Sequence, residues 1–348
     1  MVKKATLLTV SKRILIAGVF NDPSKNVVTQ GSELAKILAN HGYAVITTSS
    51  YKNKYRRLID IIISILKNKT RFDVGIVQFY SGKSLVWQFL ACRLIKLLNK
   101  KLIITVHGGN VPGRIRKYPK RYLPILKLAD VITCPSFFIV STLKEYGIEA
   151  IKINNSIPLK EYSFQQKQLF SPRLLWMRAF SEIYNPELAV KVIELLKPKY
   201  PQVRLYMAGP DLGTLQKAEE MIQGKNLSEN IEIVGFADKQ KKDELAGLAD
   251  IYINTNRIDN APVTIVEMWA YGLPVITTDV GGINYLVEDG KTGLIAKNSC
   301  ALDIVEKIKL VIRDNKLATE LTNSGLKKAQ EFSEEAVFNS WQALLKQL

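Results

Sequence analysis

The stretch "DIYINTNRIDNAPVTIVEMWAYGLPVITT", residues 250–278, holds a short apolar run, a polar turn, a longer apolar run after Pro262, and a second short run. The short runs have strand length and β-branched content, while the middle run is long enough for a helix. This is a strand–helix–strand crossover. Strands that are apolar throughout and joined this way belong to a parallel sheet covered on both faces.

The same grammar repeats on both sides. Toward the N-terminus, strands are predicted at 13–20, 43–49, 72–80, 101–109, 130–136 and 151–157. Between them lie helices at 30–42, at 83–98, near 119–128 and near 137–146, with an isoleucine-rich helix inside 51–71. The segment "PLKEYSFQQKQLFS" (158–171) is polar and aperiodic and reads as an interdomain linker. Strands resume at 173–180, 203–209, 231–236, 250–255, 274–278 and 292–296, alternating with helices at 187–200, 212–223, 239–248 and after Pro262. Helices near 300–313 and 316–331 follow, and Ser333-Glu334-Glu335 opens a last one with a cap and an acidic first turn. The fold class is therefore α/β, with two doubly wound domains at 1–165 and 166–332 and a C-terminal helix at 333–348. Open sheets of this kind bind ligands at the carboxyl ends of their strands, so the expected site is the cleft between the domains.

A chain of 348 residues, 47% hydrophobic and 23% charged, has the composition of a globular protein with two cores. Cys92, Cys134 and Cys300 are far apart and read as free buried thiols of a reducing compartment. With only His41 and His107 as histidines, a side-chain metal cluster is not expected. Ser11-Lys12-Arg13 interrupts the first apolar run before it reaches signal-peptide length, and no run approaches the ~20 residues of a membrane span. A cytoplasmic protein is expected, or one peripheral on the inner membrane face.

The net charge of +17 is carried by one half. Residues 1–160 contain 27 Lys and Arg against 7 Asp and Glu, whereas residues 161–348 contain 22 against 25. Such asymmetry points to an anionic partner. The stretch "YKNKYRRLIDIIISILKNKTR" sets Lys52, Lys54, Arg56, Arg57, Lys67, Lys69 and Arg71 around an apolar centre, and "GRIRKYPKRYLPILK" adds a second basic run. The first could lie on anionic lipid with its charges at headgroup level, although its apolar centre equally suits a core helix. No recognised nucleic-acid motif accompanies the charge, so nucleic acid is not an expected partner.

Within 250–278, Pro262 favours a first helical turn, leaving the backbone N–H groups of Val263, Thr264 and Ile265 at a helix N-terminus, where anions bind. Asp259 precedes that turn and Glu267 follows on the helix, so the two acids could address different parts of one ligand, or could be a turn residue and a solvated helix residue. Arg178 in "LLWMRAFSEIYNPELA" ends a buried strand, where a guanidinium can meet diphosphate oxygens in pairs. His107 in "LIITVHGGNVPG" also ends a strand, before two glycines and an expected mobile loop.

Taken together, "ADIYINTNRIDNAPVTIVEMWAYGLPVITTDVGGINYLVEDGKTGLIA" resembles the donor-binding segment of retaining GT-B glycosyltransferases of family 4, the glycosyl transferases group 1. That motif has Glu-x7-Glu, a small-residue helix, Gly-x-Pro-Val and a Gly-Gly turn, all matched except that the first acid is Asp259. The resemblance implies two Rossmann-like domains facing a cleft, with the last helix and Trp341 packing back on the first domain. It implies a nucleotide-sugar donor, UDP- or GDP-linked, bound as substrate with no separate cofactor and no metal, and a glycan or lipid-linked acceptor on the basic domain. By resemblance Asp259 contacts the donor sugar, Asn260, Ala261, Val263 and Thr264 hold sugar hydroxyls and phosphate, and Glu267 grips the ribose.

Arg178 would stabilise the departing diphosphate, and His107 would face the reacting sugar. Gly209 and Asp211 in "VRLYMAGPD", with Gly235 and Phe236 in "IVGF", would flank the nucleobase, unless they are ordinary strand–helix turns. Gly31 would open the helix after the first strand beside donor and acceptor, and Gly281 and Gly282 would form a close-approach turn. The family's lysine five residues after the arginine is missing, since position 183 is Ile. That departure keeps a non-catalytic binding relative in view. A GT-B sugar-nucleotide epimerase is disfavoured by the shortage of histidines.

Overall fold

The structure is a computed structural model, and it describes residues 12–20, 29–51, 53–82 and 84–348. The N-terminal apolar run up to Ser11, the loop 21–28, Lys52, Lys83 and the side chain of Lys54 lie outside the described residues. The chain divides into two compact units, residues 1–156 with 337–348, and residues 157–336.

The first unit runs β1 (Ile14–Ala17), α1 (Gln30–Asn40), β2 (Val45–Thr48), α2 (Lys54–Lys67), β3 (Val74–Phe79), α3 (Leu85–Leu97), β4 (Lys101–Val106), α4 (Val111–Lys117), α5 (Pro119–Leu126), β5 (Val131–Cys134), α6 (Phe137–Lys144) and β6 (Ile151–Lys152). Its six parallel strands are ordered β2-β1-β3-β4-β5-β6, so the order reverses between β1 and β3. Alternation along β1 explains the continuous apolar run, because Leu15 and Ala17 join one core layer and Ile14 and Ile16 the opposite one.

The second unit runs β7 (Arg173–Met177), α7 (Pro186–Leu196), β8 (Arg204–Ala208), α8 (Leu215–Gly224), β9 (Ile231–Gly235), α9 (Lys239–Leu248), β10 (Ile251–Asn254), α10 (Val263–Tyr271), β11 (Val275–Thr278), α11 (Ile283–Leu286), β12 (Leu294–Ala296), α12 (Ala301–Arg313) and α13 (Asn315–Ala329). Its sheet is also parallel, in the order β12-β11-β10-β7-β8-β9, with the reversal between β10 and β7. Leu174 and Trp176 of β7 enter one layer, and Leu175 and Met177 the other.

The last helix, α14 (Glu334–Gln347), begins with the second unit and ends in the first. Val337, Phe338, Trp341, Leu344 and Leu345 lie on one face and complete the layer containing Ile14, Ile37 and Val74.

Several expectations need correction. The units part at 156/157 and 336/337, not at 165/166 and 332/333. The supposed linker 158–171 is tied to the second unit. Ile157 N–H donates to the Phe332 carbonyl at 2.9 Å, Leu159 and Tyr162 pack into its core, and Gln165 N–H donates to the Tyr271 carbonyl at 3.1 Å. Lys167, Ser171 and Arg173 converge on the fully buried Asp250 carboxylate, whose pKa is lowered because their hydrogen bonds outweigh burial. Its polarity thus serves a buried charge.

The expected loop after Gly109 is instead α4, because Val111 and Ile115, spaced four apart, both reach the core. The strand predicted at 151–157 shortens to two residues, and the helix predicted from Leu212 starts at Leu215. Cys92 and Cys134 are buried, which pushes both thiols up to about 12, but Cys300 is only partly buried ahead of α12.

Candidate functional site

Arg178 leaves the carboxyl end of β7 and Asp259 the loop after β10, the two strands that flank the reversal in the second sheet. That is where an open α/β sheet leaves room for a ligand. The Arg178 Nη2 donates to Asp259 Oδ2 at 2.7 Å and its Nη1 to Thr264 Oγ1 at 3.0 Å. The guanidinium also lies 4.0 Å from the centre of the Tyr184 ring. Burial opposes its charge, but Asp259 and Tyr184 more than offset this and keep the guanidinium protonated. Its Nε has no hydrogen-bond partner among the described residues.

Asp259 is held as firmly as it holds. Asn256 Nδ2 donates to the same Oδ2 at 2.5 Å, and the Asn260 N–H donates to Oδ1 at 2.7 Å. Behind the loop, Gly282 N–H donates to the Asp259 carbonyl at 3.0 Å. The Gly-Gly turn therefore approaches protein backbone.

At the start of α10, Pro262 is the cap residue and not the first helical one. Ile265 N–H is spent on the Pro262 carbonyl at 3.1 Å, so of the three N–H groups expected at this terminus that one is engaged. Val263 and Thr264 form the first turn, with Ala261 and the buried Asn260 just before it. Glu267, one turn on, is 6% exposed. Its Oε1 accepts the Tyr162 hydroxyl at 2.8 Å and the Lys242 ammonium at 2.8 Å. Tyr162 is pushed well above the ordinary phenol range, first by burial and then by the Glu267 charge.

Gly209 has φ +150, and a Cβ there would sit 1.9 Å from the Arg178 carbonyl oxygen, so only glycine lets β8 end beside Arg178. Its N–H donates to the Gly235 carbonyl at 2.7 Å, which joins the two expected nucleobase loops. A cavity of about 220 Å³ opens here, walled by Arg178, Tyr184, Gly209, Phe236, Lys242 and Thr264. Asp211 does not line it. Its exposed carboxylate accepts the N–H groups of Gly213, Thr214 and Leu215, and those bonds lower its pKa, so it organises the turn into α8.

In the first unit, His107 follows β4 and packs in a stack with Tyr80, ring centres 5.4 Å apart. Its Nε2–H donates to Gln78 Oε1. Burial pushes the imidazole down to about 4, so it is neutral at pH 7. Gly31, in the first turn of α1, leaves room for Gln78: a Cβ would lie 3.3 Å from Gln78 Cγ. His107, Gln78, Gln30, Ser156 and Trp341 line a water-sized recess of about 20 Å³.

Two family profiles match the chain. Glycosyl transferases group 1 matches residues 161–328 and Glycosyltransferase Family 4 matches residues 27–155. HepE of Anabaena, solved with UDP and glucose, superimposes with TM-score 0.75 at 15% identity, over 97% of this chain and 100% of that one. The chain belongs to the group 1 glycosyltransferases of GT-B fold. An uncharacterized glycosyltransferase of Methanocaldococcus jannaschii is 25% identical over 93% of this chain and 95% of its own length. A poly(ribitol-phosphate) alpha-N-acetylglucosaminyltransferase of Staphylococcus aureus is 24% identical over 44% of this chain and 31% of its own length.

In this glycosyltransferase the sequence motif assembles Arg178, Asp259, Thr264 and Glu267 in one unit, with Gly209 and Phe236 lining the cavity beside Arg178 and Gly235 behind them, hydrogen-bonded to Gly209, while Gly31 and His107 belong to the other. Motif reading missed Tyr162, Tyr184, Asn256, Gln78 and Lys242. Tyr162 lay in a supposed linker, and Lys242 in a "KQKKDE" run resembling a solvated helix face. Nothing in the local pattern marked Asn256 or Gln78.

Proposed function

We propose that this glycosyltransferase moves a sugar from a UDP- or GDP-linked donor to a glycan or lipid-linked acceptor of the cell envelope, with retention at the anomeric carbon. The observation that carries this reading is the Arg178 guanidinium, fixed by Asp259, Thr264 and Tyr184 in the cavity wall at the strand-order reversal. A planar fork held in place suits a diphosphate.

The α10 N-terminus adds its dipole on the same side, and Glu267, with two carboxylate oxygens, suits the ribose hydroxyls. Asp259 first orients Arg178. Its Oδ1, which accepts one backbone N–H, has a second lone pair for a sugar hydroxyl. As the bond from the anomeric carbon to the diphosphate breaks, charge grows on the phosphate oxygens beside Arg178, where preorganised donors lower the barrier most. The acceptor hydroxyl attacks from the face that the diphosphate leaves and gives its proton to a departing phosphate oxygen, so that the new glycosidic bond replaces the one broken.

The basic first unit takes the acceptor and works at the inner membrane face. Supporting this, α2 buries Ile61 and Ile65 yet exposes Tyr55, Ile59, Ile63 and Leu66 along one stripe, beside Arg56 and Lys67. Among the described residues no helix is long and apolar enough to cross a membrane, so contact would be peripheral.

The test is a panel of nucleotide sugars, scored by thermal stabilisation and then by turnover. One donor is expected to stabilise and turn over, and Arg178→Ala and Glu267→Ala are expected to lose turnover. Undiminished activity in both variants would sink the assignment.

A further inference from the structure

A sugar diphosphate presents a negative charge on each phosphate, and the one guanidinium that lines the cavity among the described residues is already paired with Asp259 at 2.7 Å. One guanidinium, with donors already spent on Asp259 and Thr264, does not cover two phosphates, so the site calls for a further donor cation. The residue at 183 cannot supply it, being an isoleucine that is 49% exposed.

Among the described residues lining the cavity, the second cation is Lys242 of α9. Its neighbours on that helix are committed elsewhere: Lys239 to Asp243 and to the faces of Tyr162 and Tyr271, Lys241 to Glu244 at 2.8 Å. Arg257, on the loop before Asp259, donates to Asn185 Oδ1 at 3.1 Å and does not line the cavity. The Lys242 side chain is 26% exposed and reaches Glu267 Oε1 at 2.8 Å. An ammonium has three donors, so it can keep a carboxylate and take a phosphate oxygen at once. In a nucleotide the ribose and the first phosphate are bonded neighbours. A lysine that touches the ribose-gripping acid and faces the same cavity as Arg178 therefore stands where the first phosphate falls.

We infer that Lys242 is the second phosphate-binding cation of this site, supplied from α9 in place of a lysine on the loop after β7. The inference rests on the donor-site reading of the second unit.

The full chain is titrated calorimetrically with UDP and with GDP, as wild type, Lys242→Met and Lys242→Arg, with melting temperatures taken without nucleotide. Loss of a charge-assisted hydrogen bond should weaken the preferred diphosphate roughly tenfold or more in Lys242→Met, while Lys242→Arg stays within about threefold of wild type. Should Lys242→Met fail to fold, Lys242→Gln serves as the neutral variant. If neutral and charged variants both bind like wild type, or both lose affinity equally, the assignment of Lys242 is overturned and the donor site stands. If wild type binds neither diphosphate, the donor-site reading falls and this inference with it.

Discussion

Gly282 and Asn260 meet backbone to backbone: a Cβ at 282 would lie 1.8 Å from the Asn260 carbonyl oxygen, and one at 281 would lie 2.2 Å from that of Asp259. No side chain can give way at such a contact, since what it meets is main chain. The turn after β11 thereby fixes the height of the loop that orients Arg178.

Gly282→Ala should therefore move Asp259 and Asn260. Turnover is expected to fall by roughly a hundredfold, the cost of about 1 Å of misplacement. Gly290→Ala is the control, because Gly290 has φ +74 but open space around it. It should cost only about 1–2 kcal/mol of stability, for the left-handed backbone, and leave turnover intact. Steady-state kinetics with urea unfolding of both variants separates loop displacement from general destabilisation.

Arg178→Met leaves the Asp259 carboxylate without its ion pair in a site where both side chains are nearly buried. A loss of about 3–5 kcal/mol in urea unfolding is expected. Adding Asp259→Leu should restore much of that stability without restoring turnover, since the second change removes the orphaned charge and not the catalytic deficit. Stability as low in the double variant as in the single would contradict the pairing.

His107 links stability to pH. Its ordinary value of 6.5 falls to about 4 on folding through burial, so between those values the unfolded chain binds more protons. The contribution is complete above pH 6.5, declines as pH falls toward 4, and changes no further below that. His107→Gln should flatten this part of the stability profile between pH 6.5 and 4, measured by denaturant unfolding at several pH values.

Asp250 has a completely buried side chain paired with Lys167 and Arg173. Asp250→Ala should cost about 3–5 kcal/mol, because two cations lose their shared partner. Its folded pKa is lowered, so this stability is present above the ordinary carboxylate range and is lost as pH falls through the depressed value. Limited proteolysis should find residues 158–171 cut sooner in the variant.

The exposed stripe on α2 has a direct check. Sedimentation with vesicles rich in anionic phospholipid, at physiological salt, should carry wild type down and leave Ile59→Asp/Ile63→Asp in the supernatant. Wild type remaining with the supernatant would remove the membrane from the proposed function.

Much of this glycosyltransferase is legible without coordinates. The strand–helix alternation and the run from Asp259 to Gly282 are local features, set by short-range apolar pattern, turn residues and helix-end chemistry. Calling 158–171 a linker failed because polarity looks the same whether a segment is solvated or satisfies a buried charge such as Asp250. The helix at 111–117 was missed because Gly108-Gly109 and Pro112 masked the four-residue spacing of Val111 and Ile115.

Sequence alone determined the two series of parallel strands and the candidate acids Asp259 and Glu267. Only the tertiary structure decided that Arg178 meets Asp259 across 81 residues, and that Glu267 is shared by Tyr162 and Lys242. The physical reason is strand order. Periodicity says that β7 and β10 are strands, but their adjacency follows from how the helices between them pack, and that adjacency brings the charges together.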